Sequence, residues 1–293
     1  MKIATMTTLC YSARDRVEKT SALESVRRLR AVGFEYQDMN LLGLVQGHQC
    51  SFAQDDWQEE VRELAQEAKR LGVTFHQAHL PYYYISYIYD HENEEFNTLY
   101  DRMMRRSIEI CSMLEVPCAV VHPFDLPEGD QKAHIAENLQ RFGKYVELAN
   151  QKGIRIAFEN MRNPKRFCSK SEDLIALTDA FAPKIVGVCW DFGHGQINYQ
   201  EKQTQAIAML KDRICAVHIH DNNGKDDQHH PPFIGTVVWE EVMPALRQAN
   251  YKGCLNYEIG VNKTVPDLLR DEMAKYCFKA GDYLMKMFEE TTE

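Results

Sequence analysis

Short β-type runs alternate with longer helical patterns along the whole chain, and this alternation constrains the fold more than any other feature. Strand-like runs fall at 2–7, 34–39, 73–79, 118–122, 154–159, 185–191, 214–220 and 253–258. Apolar residues at helical spacing lie between them, at 22–33, 57–72, 94–114, 131–152, 171–181, 202–212, 239–250 and 265–288. A helix, then a glycine, then a β-branched run recurs at Gly33, Gly72, Gly153 and Gly253, as expected where a helix C-cap feeds a strand. Strict alternation requires parallel strands joined by crossover helices. Eight units favour closure into an α/β fold of the (β/α)8 TIM-barrel type, with a doubly wound open sheet as the alternative. No linker or low-complexity tract divides the 293 residues, so 1–293 is expected to be a single TIM-barrel domain.

Several strands end on residues that bind metals. The run 154–159 ends at Glu159, 185–191 ends at Asp191, 214–220 carries His218 and His220, and 253–258 ends at Glu258. Two earlier runs end at His79 and His122. Taken singly, a strand-end acid is more often solvated or ion-paired. The series matters because every strand C-terminus of a parallel barrel opens on one face. Side chains two apart share a face of a strand, so Ala157, Cys189 and Ala216 lie on the faces of Glu159, Asp191 and His218. Small residues inward and bulky ones outward suit a crowded barrel interior. On this reading Glu159, Asp191, His218 and Glu258 form an inner quartet, and His220 stays nearer the mouth as a substrate contact. A mixed oxygen and nitrogen set suits one divalent ion, Mn²⁺, Co²⁺, Mg²⁺ or Zn²⁺.

Other residues are weighed beside them. His194 lies three after Asp191 in D-F-G-H-G, read as a Gly-flanked turn, and is a candidate functional residue. His48, His91 and His134 read as surface. The cluster Tyr82, Tyr83, Tyr84, Tyr87 and Tyr89 is split between core and a wall for a sugar ring. The nine cysteines show no C-x-x-C pair and read as reduced, structural thiols of a cytoplasmic protein. The formal charge of −9 disfavours nucleic acid as a partner. The N-terminus is too polar for a signal peptide and no run is apolar enough for a membrane span.

A-F-E-N at 157–160, W-D-F-G-H at 190–194, H-I-H-D-N at 218–222 and Y-E-I at 257–259 resemble the xylose-isomerase-like superfamily of β/α barrels. It includes ketose 3-epimerases, inosose dehydratases and endonuclease IV. Resemblance to the epimerase branch implies a Glu/Asp/His/Glu quartet on one ion, falling on Glu159, Asp191, His218 and Glu258, with His194 a substrate contact. It implies a metal-dependent isomerase or epimerase. A cis-enediolate would form between the catalytic pair Glu159 and Glu258, which relay the proton. The endonuclease IV branch uses more ligands and three zinc ions. Its pattern finds matches in His79, His122, Asp227 and His229, so more than one zinc is an alternative, with His79 and His122 otherwise substrate contacts. The arginine that epimerases carry after the strand-7 histidine is absent, and Lys225 is the nearest cation in its place. A lyase acting on an inosose or glycoside-type substrate would share the first step. The expected partner is a small sugar or polyol, with no nucleic acid and no membrane, in a homo-oligomer.

Overall fold

The computed structural model describes all residues except 11–12, 15–16, 19, 46–50, 84–89, 182–184, 262–264 and 291–293, with backbone alone at 13–14 and 17–18. His48, Tyr84, Tyr87 and Tyr89 lie outside the described residues. Eight parallel strands form the barrel: β1 (Lys2–Met6), β2 (Tyr36–Asn40), β3 (Thr74–His79), β4 (Cys118–Val121), β5 (Arg155–Glu159), β6 (Val186–Asp191), β7 (Ile214–His218) and β8 (Cys254–Tyr257). Each pairs with its sequence neighbour, and β8 pairs with β1 from Lys2↔Cys254 to Thr5↔Tyr257. The last seam, between β7 and β8, is held by a bridge from Ile219 to Tyr257. Ile219 N donates to Asn256 O at 2.7 Å and Glu258 N donates to Ile219 O at 3.1 Å. The eight expected strands are therefore present and wrap into a nearly closed barrel.

The helices are α1 (Ala22–Val32), α2 (Trp57–Leu71), α3 (Glu94–Met113), α4 (Gln131–Gln151), α5 (Ser171–Phe181), α6 (Phe192–Tyr199), α7 (Gln203–Leu210), α8 (Trp239–Gln248) and α9 (Asp267–Glu289). Their ends follow local chemistry. Ser21, Asn93 and Asp130 cap α1, α3 and α4 by accepting from the amides of Glu24, Phe96 and Ala133. Gly72 ends α2 in the left-handed region at φ 68°. Helix α6 departs from expectation: the D-F-G-H-G segment read as a turn is the first turn of a helix. Asp191 is its N-cap, with its carboxylate accepting from His194 N at 2.7 Å. No described helix is long and apolar enough to cross a membrane.

Two apolar regions result from strand alternation. Phe158, Val188, Trp190, Val217, Leu255 and Tyr257 point outward into the main core under the helices. Cys118, Val120, Ala157, Cys189 and Ala216 pack separately inside the barrel. Among the described residues the cysteines are free, and all but Cys215 are buried. Part of the interior is polar. Fully buried Asp38 accepts at Oδ2 from the amides of Gln77 and Asn256, both at 2.8 Å. Burial raises the Asp38 carboxyl above the usual range.

Candidate metal centre

The strand ends bring four carboxylates and six imidazoles to one face of the barrel, and Glu159 stands among them. Its Oε2 lies 3.2 Å from His79 Nε2 and 3.0 Å from His122 Nε2. Its Oε1 lies 3.3 Å from His218 Nδ1 and 3.4 Å from His194 Nδ1. Among the described residues four groups could each hold a cation, the donor atoms within each lying within 4.8 Å of one another; besides His79, His218 and Glu258 there are three more. The first is the expected quartet Glu159, Asp191, His218 and Glu258. The second is His79, His122 and Glu159, so Glu159 belongs to both. The third, His194, His220, Asp227 and His229, lies on α6 and the long connection from β7 to α8.

Backbone carbonyls aim several of the rings. Nδ1 faces Leu80 O at 2.9 Å in His79, Asn160 O at 2.7 Å in His194 and Glu258 O at 2.9 Å in His229. An Nδ1–H that donates to a carbonyl leaves Nε2 as the ligand atom. Those Nε2 atoms face carboxylates: Glu159 for His79, and Asp227 for His194 and His229, at 3.4 and 3.3 Å. The Asp227 connection is itself tied down by Asp221. That carboxylate accepts from the amides of Asn222, Phe233 and Val237 and from Trp239 Nε1.

Charge pairing overrides burial at several members. Burial works against charge on His194, yet Asp191, Asp227 and Glu159 hold it up to about 10. His229, similarly buried, is raised to about 9 by Asp227 and Glu258. Burial would raise the carboxyl groups of Glu159, Asp227 and Glu258, but their histidine neighbours hold all three below the usual range. His122 differs, because burial wins and lowers it.

The donor set fits a cation. His218 Nδ1 and Glu258 Oε2 are 2.8 Å apart, yet neither has an aligned hydrogen bond. Asp227 Oδ1 is likewise buried without a hydrogen bond among the described residues. Leaving buried polar atoms unsatisfied costs free energy that an ion would recover.

The structure redistributes several expected contacts. His220 is fully buried, 2.9 Å from Asp191 Oδ2 and stacked on His229 with ring centroids 4.0 Å apart, and it does not line the cavity. A side chain at Gly193 would put its Cβ 1.9 Å from the His220 ring, so glycine is required there for close approach. Lys225 is exposed and does not line the cavity, because Asn223 accepts from its backbone amide in a turn that directs it outward. His134 is buried against Phe167 and lies 3.5 Å from Asp125, so it is not a surface residue. His91 is exposed, as expected. Tyr82 lines the cavity and stacks on His122, whereas Tyr83 is core, bonded through its hydroxyl to Asn97. A cavity of about 380 Å³ opens over His79, His122, Glu159, His194, Asp227, His229 and Glu258. Its cations, Arg162 and Arg166, come from the connection after β5 and were missed in the sequence. Three positive charges in R-N-P-K-R shortly after a strand of an acidic chain are the signal that could have found them.

A family model described as the xylose isomerase-like TIM barrel matches residues 26–278. The chain belongs to that family. A solved structure of a D-psicose 3-epimerase, in the presence of D-fructose, superposes with a TM-score of 0.76 at 15% identity, covering 97% of this chain and 99% of that one. The IolI protein with a bound zinc superposes with a TM-score of 0.74 at 14% identity, covering 99% and 100%. At these identities the likeness is one of fold. An uncharacterised protein of Methanocaldococcus jannaschii is 29% identical over 187 residues, which cover 61% of this chain. The matched stretch spans 62% of that relative's length, and 53% for a second relative, from Sinorhizobium fredii.

Proposed function

We propose that this xylose isomerase-like barrel is a divalent-metal-dependent isomerase or epimerase of a sugar or polyol. The observation that carries the reading is the placement of Glu159 and Glu258. They come from β5 and from just past β8, line one cavity, and stand 3.3 and 2.8 Å from the same His218 Nδ1. Two carboxylates on a shared point can remove a proton and return it on the other carbon or the other face. Asp191, His218 and both glutamates would hold the ion. When bound, a divalent ion supplies a Lewis acid that draws electrons from a carbonyl and acidifies the adjacent C–H. Their histidine neighbours hold Glu159 and Glu258 in the ionised form, the form a proton acceptor needs. His194 and His122 would orient substrate oxygens, and Tyr82 would pack against the ring. Relatives in solved form that act on ketoses support the class of substrate.

The test is solvent exchange. Metal-replete protein incubated with ketoses and inososes in deuterated water should exchange the C–H proton next to the carbonyl. Glu159→Gln and Glu258→Gln should bind the same sugar without exchange; retained exchange in both sinks the assignment. Product analysis separates isomerisation from loss of a β-hydroxyl, which shares the first step.

One observation favours a second reading. Glu159 belongs to two ligand groups, and a third group stands beside them, which supports a multinuclear zinc site and phosphodiester hydrolysis. Three zinc ions per chain with cleavage of abasic DNA would establish it, and one ion without cleavage would remove it. The formal charge of −9 argues against a DNA partner.

A further inference from the structure

The cavity's cations lie on one short connection of an otherwise acidic chain. Residues 162–170 carry Arg162, Lys165, Arg166 and Lys170 and no acidic residue, against a formal charge of −9 for the whole protein. Arg162 and Arg166 line the cavity beside the ligand groups.

This connection is held in place on several sides. Met161 N donates to Cys168 O at 3.1 Å, and Asn198 Nδ2 donates to Met161 O at 2.8 Å. Phe167 is buried and donates its amide to Asp125 Oδ1 at 3.3 Å. The other oxygen of Asp125 forms an ion pair with Arg166 Nη1 at 3.2 Å. Arg162 is held more loosely. Its side chain is 58% exposed, and its one contact among the described residues is Nη1 to Asp227 Oδ2 at 3.5 Å. Asp227 is also shared by His194 and His229. Any cation taken up by Asp227 weakens its attraction for Arg162 and leaves the guanidinium to the cavity. Guanidinium forks match planar or tetrahedral oxyanions, and a fork set in advance loses little freedom on binding.

We propose that Arg162 and Arg166 recognise an oxyanion on the substrate, so that the natural substrate is a sugar phosphate or a sugar acid and not a neutral sugar. The inference deepens the isomerase reading and rests on it only in taking this cavity as the substrate cavity. Arg162 and Arg166 are specificity residues that touch the end of the substrate remote from the reacting carbons.

The experiment measures binding by calorimetry on metal-loaded protein, with D-fructose 6-phosphate, D-glucuronate and D-fructose as probes. At least one anionic probe should bind about tenfold to a hundredfold tighter than D-fructose, as expected for charge-assisted hydrogen bonds. The phosphate and carboxylate arms tell the two sources apart. Arg162→Gln should remove most of that preference with metal content unchanged. Arg166→Gln should remove more, and if loss of the Asp125 pair unfolds it, Arg162→Gln decides alone. Equal affinity for all three probes, no binding of either anion, or a preference that survives Arg162→Gln would overturn the proposal. Deuterium exchange on the same preparations reports separately on the reaction. Oxyanion preference without exchange defeats the isomerase reading alone; exchange without oxyanion preference defeats this proposal alone.

Discussion

Two four-residue ligand groups share this barrel mouth, and they are built differently. Glu159, Asp191 and His218 stand on strand ends, and Glu258 directly follows a strand, so hydrogen-bonded neighbours fix their spacing on both sides. His194, Asp227 and His229 depend on one short helix and one long connection, which Asp221 holds together. The inner side chains are 0–13% exposed, whereas His229 in the outer group reaches 25%. Strand ends thus supply a fixed frame, while helix and loop supply a part that can be lost separately.

Breaking the inner group should have the largest effect. Glu159→Gln removes the carboxylate common to two groups, and C–H exchange should fall about 10³-fold or more, as measured by proton NMR in deuterated water. Next comes Asp221→Ala, which strips four donors of their acceptor. Thermal unfolding should register a loss of about 3 kcal/mol, and on the multinuclear reading metal analysis should show the outer group emptied while the inner one keeps its ion. Asp227→Asn acts more narrowly and should weaken metal binding at the outer group alone by about 10- to 100-fold. Equal loss from both groups would show that they are one unit. The smallest effect is one of pH. In the metal-free protein His194 and His229 are raised to about 10 and about 9, so both are protonated at neutral pH. Ligation must displace those protons, so affinity falls as pH falls, by up to about tenfold per unit for each proton displaced. The outer group displaces two such protons, against one from His218 in the inner group. A zinc titration at pH 6 and pH 8 should therefore empty the outer group first at the lower pH.

The same contrast explains what could be read from the sequence. Strand ends are marked by period-two alternation followed by an acid or histidine, and a parallel barrel turns that pattern into a location. Glu159, Asp191, His218 and Glu258 follow that pattern, and their side chains come together. Helix α6 was hidden because its glycines read as a turn. They serve close approach instead: Gly193 to His220, and Gly195 to Trp190 and Gln203. The capping signal was also incomplete, since His194 stands where a capping box would carry Glu or Gln. His220 continues the inward alternation of β7 in sequence, but the strand ends at His218 and the ring turns behind Asp191. Arg162 and Arg166 lie in irregular chain, where periodicity gives no direction. Asp38 carries no signal in the sequence, because its amide partners on β3 and β8 are far from it along the chain.

The pairing of β8 with β1 has a consequence for how the protein is made. Lys2 meets Cys254, so a strand from the start of the chain must wait for one some 250 residues later. Contacts of such long range form late and slowly in folding. Glu258 directly follows that last strand, and the segments carrying Asp191, His218 and Asp227 also belong to the later part of the chain. A growing polypeptide would expose His79 and His122 well before their partner carboxylates exist. An ion held by the full inner quartet would therefore need the last strand to be made and paired with the first.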